Sequence, residues 1–172
     1  IYGLGGLAWS KPAIQKIYQT KGRDENKPVA VLIGSYEQFD LVSASVNGKV
    51  HRLVERFFPG ALTVIVPRHP SLPESLSPRP TIGVRMPDHP LAQEILRRCG
   101  PLAVTSANIS GQANPRNMSE ILDQLTNGVN LYVDGGPVQG GIASTVVDCT
   151  GSEIKILREG AIPAADVWDA LK

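Results

Sequence analysis

The sequence predicts an α/β fold: one domain with a twisted, mixed parallel/antiparallel sheet flanked by helices. Three observations carry that expectation. Apolar runs of strand length alternate with segments of helical periodicity from end to end. No linker, repeat or low-complexity tract divides the 172 residues. The connection Cys149-Thr150-Gly151-Ser152-Glu153 is too short for a parallel crossover, which needs about a dozen residues, so an antiparallel hairpin closes the chain's last strands.

Each element follows from local chemistry. Ser10 is placed to cap a helix, Pro12 is tolerated in its first turn, and Ala13, Ile14, Ile17 and Tyr18 form its apolar face before Gly22 stops it. Val29 to Ile33 is an unbroken apolar run that reads as a buried strand. Helices are expected around Tyr36 to Leu41 and Gly48 to Phe58, the second with Val50, Leu53, Val54 and Phe57 on one side. Pro59-Gly60 turns into a strand over Ala61 to Pro67, and the four prolines within 69–80 predict a surface loop. Thr81 to Met86 reads as a strand, Asp88 as the cap of a helix through Leu91, Ile95 and Leu96, and Gly100-Pro101 as its end. Leu102 to Ser106 is a strand that runs into a polar loop, Ala107 to Asn117, followed by a helix over Ser119 to Leu125. Strands are expected at Leu131 to Val133, Ser144 to Cys149 and Ile154 to Leu157, and Pro163 opens a last helix through Val167, Trp168 and Leu171.

Composition excludes several classes. With 17 Lys+Arg against 16 Asp+Glu the chain carries +1, which argues against holding duplex nucleic acid or anionic membrane by bulk charge. No apolar run approaches the roughly 18 residues of a membrane span, and no signal pattern opens the chain, so the expected location is cytoplasmic, with no membrane partner. Cys99 and Cys149 show no metal-ligand spacing and read as small buried hydrophobes. The 17 glycines and 14 prolines punctuate many short elements. Because the chain starts at Ile1 and passes directly into Tyr2-Gly3-Leu4-Gly5-Gly6, further N-terminal sequence is expected before it.

The loops carry the chemistry. Gly3-Leu4-Gly5-Gly6-Leu7-Ala8 has the spacing of a dinucleotide fingerprint, but that motif needs a preceding strand, so the glycines read as a tight turn. Neither a P-loop, a G-x-S-x-G elbow nor HExxH occurs, and His51, His69 and His89 lack ligand-like spacing. Lys21-Gly22-Arg23 places an ammonium and a guanidinium two residues apart, on one side if the loop is extended, with Lys27 close behind; the pair suits phosphate or carboxylate. Asp24 and Glu25 beside it leave open a merely solvated loop. Ser106-Ala107-Asn108-Ile109-Ser110-Gly111 leaves the carboxyl end of an apolar strand, where open α/β sheets bind ligands, with no histidine to activate Ser106. Ser106 and Asn108 therefore read as hydrogen-bonding orienters, or alternatively as turn and capping residues. Arg85 and Arg158 end apolar strands, where an arginine reaches solvent or meets an anion.

In chain order, Tyr2-Gly3-Leu4-Gly5, Lys21-Gly22-Arg23, Lys27-Pro28, Phe58-Pro59-Gly60-Ala61-Leu62-Thr63, Gly83-Val84-Arg85-Met86-Pro87-Asp88-His89-Pro90, Ser106 to Gly111, Asp134-Gly135-Gly136, Ser144 to Asp148 and Leu157-Arg158-Glu159-Gly160 resemble the YrdC-like threonylcarbamoyl-AMP synthase family. The resemblance spans nearly the whole chain and implies a YrdC-like domain over residues 1–172 that lacks its N-terminal segment. It implies synthesis of L-threonylcarbamoyladenylate and pyrophosphate from L-threonine, bicarbonate and ATP with Mg²⁺, a nucleotidyltransferase activity serving N6-threonylcarbamoyladenosine formation in tRNA. A downstream threonylcarbamoyl-transfer machinery, and tRNA indirectly, are the implied partners. A catalytic set Lys21, Arg23, Ser106 and Asn108 is implied in a basic cavity, with Arg23, Lys27, Thr81, Asn108, Arg116 and Arg158 on ATP and Arg85, Ser106 and Ser144 on threonine. Two departures stand out: the Pro-Thr-Asp/Glu-Thr stretch many relatives carry before Tyr-Gly-Leu lies outside this sequence, and Leu32 stands where many have histidine. The C-terminal extension of longer relatives is likewise not in this sequence. Two rivals remain: an RNA-binding or ribosome-associated module, to which the near-neutral charge and sparse aromatics lend little, and a related carbamoyl-adenylate domain with another acceptor.

Overall fold

The computed structural model describes residues 1–138 and 141–172. Seven strands form one sheet in the order β1-β5-β2-β4-β3-β6-β7: β1 (Gly3–Leu7), β2 (Ala30–Leu32), β3 (Leu62–Pro67), β4 (Thr81–Arg85), β5 (Leu102–Ser106), β6 (Thr145–Asp148) and β7 (Lys155–Arg158). The β2–β4 and β3–β6 pairs are parallel and the other four antiparallel, including the expected β6–β7 hairpin. The sheet is therefore mixed, as expected.

Alternation along the strands gives the sheet two unlike faces. One carries Leu62, Val64, Val66, Ile82, Val84, Ala103 and Val147, all buried. Against it pack α1 (Lys11–Lys21) with Ile14, Ile17 and Tyr18, α2 (Glu37–Val42) with Phe39 and Val42, and α3 (Gly48–Phe57) with Val50, Leu53 and Val54; Val167 of α6 (Ala164–Asp169) joins the same core. The other face remains largely uncovered. The first helix starts and stops as its sequence dictates: Ser10 Oγ accepts from the Ala13 amide, and Gly22 closes the helix in the left-handed region at φ 56°.

Several expectations are corrected. The glycines of 3–6 form not a turn but strand β1, paired antiparallel with β5. Glycine is required by crowding: a Cβ on Gly3 would lie 2.8 Å from Val104 Cγ1, and one on Gly6 would lie 2.9 Å from Ala13 Cβ. Leu131 to Val133 forms no strand; Leu131 is 76% exposed, while Tyr132 packs on the small cluster of Ala107, Ile121 and Leu125, so side-chain packing and not strand pairing places the segment. His89, not Asp88, caps α4 (Pro90–Cys99), because Pro90 sets the first turn and His89 Nδ1 accepts from the Ala92 amide. The proline-rich 69–80 segment is more than a surface loop, since Leu72 and Leu76 are buried in the core beside a short 3₁₀ turn, Glu74–Leu76. Cys149 is buried as expected, whereas Cys99, at the end of α4, is exposed.

Candidate active site

The uncovered sheet face is a shallow trough. Its floor is set by register: Gly3 and Gly5 on β1, Leu102, Val104 and Ser106 on β5, Ala30 and Leu32 on β2, Thr81, Gly83 and Arg85 on β4, Thr63 and Ile65 on β3, and Val146 on β6 with Arg158 opposite it on β7. Small residues keep it open. A Cβ on Gly83 would lie 3.1 Å from Thr63 Cγ2 and 3.7 Å from Ala30 Cβ, which sets all three on the same side.

Two groups of polar side chains lie along this trough. The first gathers where β5 ends. Lys21, only 2% exposed, projects its Nζ to the carbonyl oxygens of Ser106 (2.5 Å) and Asn108 and to Asn108 Oδ1 (3.3 Å). Ser106 Oγ donates to Asn108 Oδ1 at 2.5 Å, and Asn108 Nδ2 donates to the carbonyls of Ile109 (2.9 Å) and Gln112 (2.7 Å). Lys21 is thus the last residue of α1 and not part of an extended loop; the left-handed Gly22 turns the backbone so that Arg23 follows close by. Burial, then the neighbouring Arg23 charge, pulls the Lys21 pKa from 10.5 to about 8. Arg23 donates to the carbonyls of Pro28 (2.9 Å) and Lys27 (3.4 Å), so its charge meets no carboxylate there. Asp24, the acid expected to compete for it, turns instead to the Asn26 amide and side chain. Lys27 is exposed beside this group. Thr81 begins β4 at the same end, since the β2–β4 register, continued, aligns it with Pro28.

The second group lies four residues further along β2, on the order of 13 Å at roughly 3.3 Å per residue. Arg85 donates its Nε to Gly60 O at 2.9 Å; burial and then the charge of Arg158 push its pKa down. Arg158 donates to Ser144 O from Nε (3.1 Å) and Nη2 (2.8 Å), and Nη2 reaches Ser144 Oγ at 3.2 Å. Leu32 is aligned with Arg85 across the β2–β4 pair. Among the described residues the ion pairs are Arg97 and Arg98 with Glu94 and Lys172 with Asp169, none of them with Arg85 or Arg158. Arg85 and Arg158 thus share one face of the sheet with no carboxylate bonded to either, a setting that suits an anion.

Arg116 stands apart, exposed just ahead of α5 (Met118–Gln124), with its amide donating to Glu120 Oε2 at 2.8 Å. Sequence reasoning missed Thr63, which is 8% exposed on the trough floor, its Oγ1 2.8 Å from Ser144 Oγ. The available signal was a lone hydroxyl in the apolar run Leu62 to Val66. At the β1 edge an apolar cleft of about 390 Å³ shares Gly3, Gly5 and Leu102 with the trough floor, is lined further by Met118 and Leu125, and holds none of the expected side chains.

The chain is similar to proteins of known kind. Residues 1–160 match the Sua5/YciO/YrdC family model, described as "Telomere recombination". A threonylcarbamoyl-AMP synthase of Bacillus subtilis is 40% identical over 168 residues, covering 94% of this chain and 48% of that protein. A Mycobacterium tuberculosis protein provisionally given the same name is 37% identical over 172 residues, covering 99% of this chain and 79% of its own length. Pyrococcus abyssi Sua5, solved in complex with L-threonine, superposes with a TM-score of 0.94 at 31% identity, over 99% of this chain and 51% of that one. The chain thus spans about half the length of the Bacillus and Pyrococcus relatives. A match along nearly its entire length, in sequence and in the path of all seven strands, means that the chain belongs to the Sua5/YciO/YrdC family.

Proposed function

We propose that this domain makes L-threonylcarbamoyladenylate and pyrophosphate from L-threonine, bicarbonate and ATP, and so acts as a nucleotidyltransferase ahead of tRNA modification. The observation that carries the reading is the pair Arg85 and Arg158, two guanidinium groups on one sheet face with no carboxylate partner among the described residues. Every substrate of this reaction brings a negative charge to such a site. The relatives named for the reaction support the choice among anions.

In this mechanism the threonine amine attacks the carbon of bicarbonate, an N–C bond forms and water is lost, leaving a carbamate. A carbamate oxygen then attacks the α-phosphorus of ATP, and the bond to the β,γ-phosphates breaks to release pyrophosphate. No protein nucleophile takes part. Arg85 and Ser144 hold the threonine end, while Arg23, Lys27, Thr81, Asn108 and Arg116 hold the nucleotide. Ser106 on threonine and Arg158 on the adenylate cross between the groups, as two reactants meeting mid-trough require. Fixed charges and oriented donors lower the barrier because they are in place before charge moves to the α-phosphoryl oxygens. Lys21 braces Ser106 and Asn108 through their carbonyls. Among the described residues no group of three or more His, Cys, Asp or Glu side chains is arranged for a metal, and in this reading Mg²⁺ belongs to the MgATP substrate. Among the described residues no helix is long and apolar enough to cross a membrane.

The test is pyrophosphate release from ATP that requires both threonine and bicarbonate. Lys21→Ala and Arg23→Ala are each expected to lower kcat/KM by a factor of about 10² or more, in line with the loss of oriented electrostatic groups. Turnover that ignores threonine would point to a different acceptor, and wild-type rates in both variants would remove the loop from the mechanism.

A further inference from the structure

We infer that Thr63 is a positioning residue for the amino-acid substrate, setting the hydroxyl of Ser144 so that its proton points into the trough beside Arg85. The inference rests on the proposed function, in which Ser144 and Arg85 hold threonine.

The geometry is that of a directed hydrogen-bond chain. Thr63 and Ser144 are 8% and 7% exposed, and their hydroxyl oxygens lie 2.8 Å apart. Arg158 Nη2 lies 3.2 Å from Ser144 Oγ, and a guanidinium only donates, so Ser144 is an acceptor in that contact. Thr63 Oγ1 has no other side-chain or backbone partner among the described residues. Its methyl lies on the β4 side, toward Gly83, and its hydroxyl on the β6 side, toward Ser144. One hydroxyl proton of the pair is left without an acceptor whichever way the bond runs; the arrangement inferred is the one in which that proton belongs to Ser144, where Arg158 already donates and a bound ligand can accept it. With Thr63 as donor, the Ser144 oxygen accepts from both Thr63 and Arg158. Its own proton is then directed away from both, toward the trough, and the β3–β4 register, continued by one residue, sets Thr63 opposite Arg85. A fixed O–H beside a guanidinium suits one carboxylate oxygen of the amino acid. Without Thr63 the Ser144 proton is free to rotate, and its orientation must be fixed at the moment of binding.

The test compares wild type, Thr63→Val and Thr63→Ser in threonine-dependent pyrophosphate release. Valine keeps the shape and the strand preference but removes the hydroxyl; serine keeps the hydroxyl. The expected result is a KM for L-threonine raised about tenfold in Thr63→Val, a KM for ATP moved less than twofold, and a return to near wild-type values in Thr63→Ser. Thermal unfolding in the absence of ligand checks that both variants fold. An unchanged threonine KM in Thr63→Val, or an equal rise in both KM values, overturns the inference and leaves the proposed function standing. A wild-type protein without threonine-dependent turnover overturns both.

Discussion

Lys21 shows how one side chain can be legible as chemistry yet unreadable as structure. An ammonium has three protons, and Nζ has three oxygens around it, two from backbone carbonyls and one from Asn108. The sequence marked Lys21-Gly22-Arg23 as a cation pair, but not the burial that follows from its place at the end of α1. Burial and Arg23 lower the pKa to about 8, so between about pH 8 and 10.5 the unfolded chain holds this proton more firmly than the folded one. Stability from this group must then rise with pH across that window. Urea unfolding of wild type and Lys21→Met checks it: the wild type should gain on the variant from pH 8 to 10.5, and a gap that stays flat or narrows would contradict the assignment. Ser106 and Asn108 illustrate the converse. The turn reading is the one these bonds show, since the two side chains brace the loop through each other at the border of the trough.

At the scale of elements, the signals that could be read were those contained in a few neighbouring residues. Ser10, Gly22 and the apolar face between them define α1 because a cap, a left-handed stop and an i, i+4 stripe act locally. Strand β1 could not be read this way, since its four-residue stretch Gly3 to Gly6 has only one large side chain and its pairing partner is about a hundred residues away. The reason for its glycines is the approach of other elements: Val104 from β5 on one face and Ala13 from α1 on the other. Gly6→Val should therefore push α1 from the sheet and cost about 1–3 kcal/mol, as overpacking does. The drop in urea midpoint measures it, with a parallel loss of activity because Lys21 ends the same helix. His89 capping α4 escaped notice for a related reason, since aspartate is the commoner cap and only the fold shows which side chain faces the Ala92 amide.

At the scale of the whole molecule, the near-zero net charge conceals an uneven distribution. Acid and base cancel over the chain, while the trough keeps Arg85 and Arg158 on one sheet face, outside the ion pairs among the described residues. An anion bound there relieves a repulsion that the empty protein carries. L-Threonine, whose carboxylate Arg85 is proposed to meet, should thus raise the melting temperature, by about 2.7 kcal/mol of stabilisation at 100 times Kd, and the gain should shrink at about 1 M salt. A double Arg85→Gln, Arg158→Gln protein should melt higher than wild type without ligand and lose most of the ligand-induced shift in differential scanning fluorimetry. A wild-type shift retained by the double variant would place the anion elsewhere. By itself the sequence determined the alternation of helices and strands, the mixed sheet, the caps of α1 and the residue types able to meet an anion, because each depends on local periodicity or on side-chain chemistry. Only the tertiary structure decided that β1 is a strand, that Lys21 is buried, that Arg85 and Arg158 share one sheet face and that Thr63 touches Ser144. Those facts depend on strand register and on which face of the sheet the helices cover, and both are settled by contacts between residues far apart in the chain.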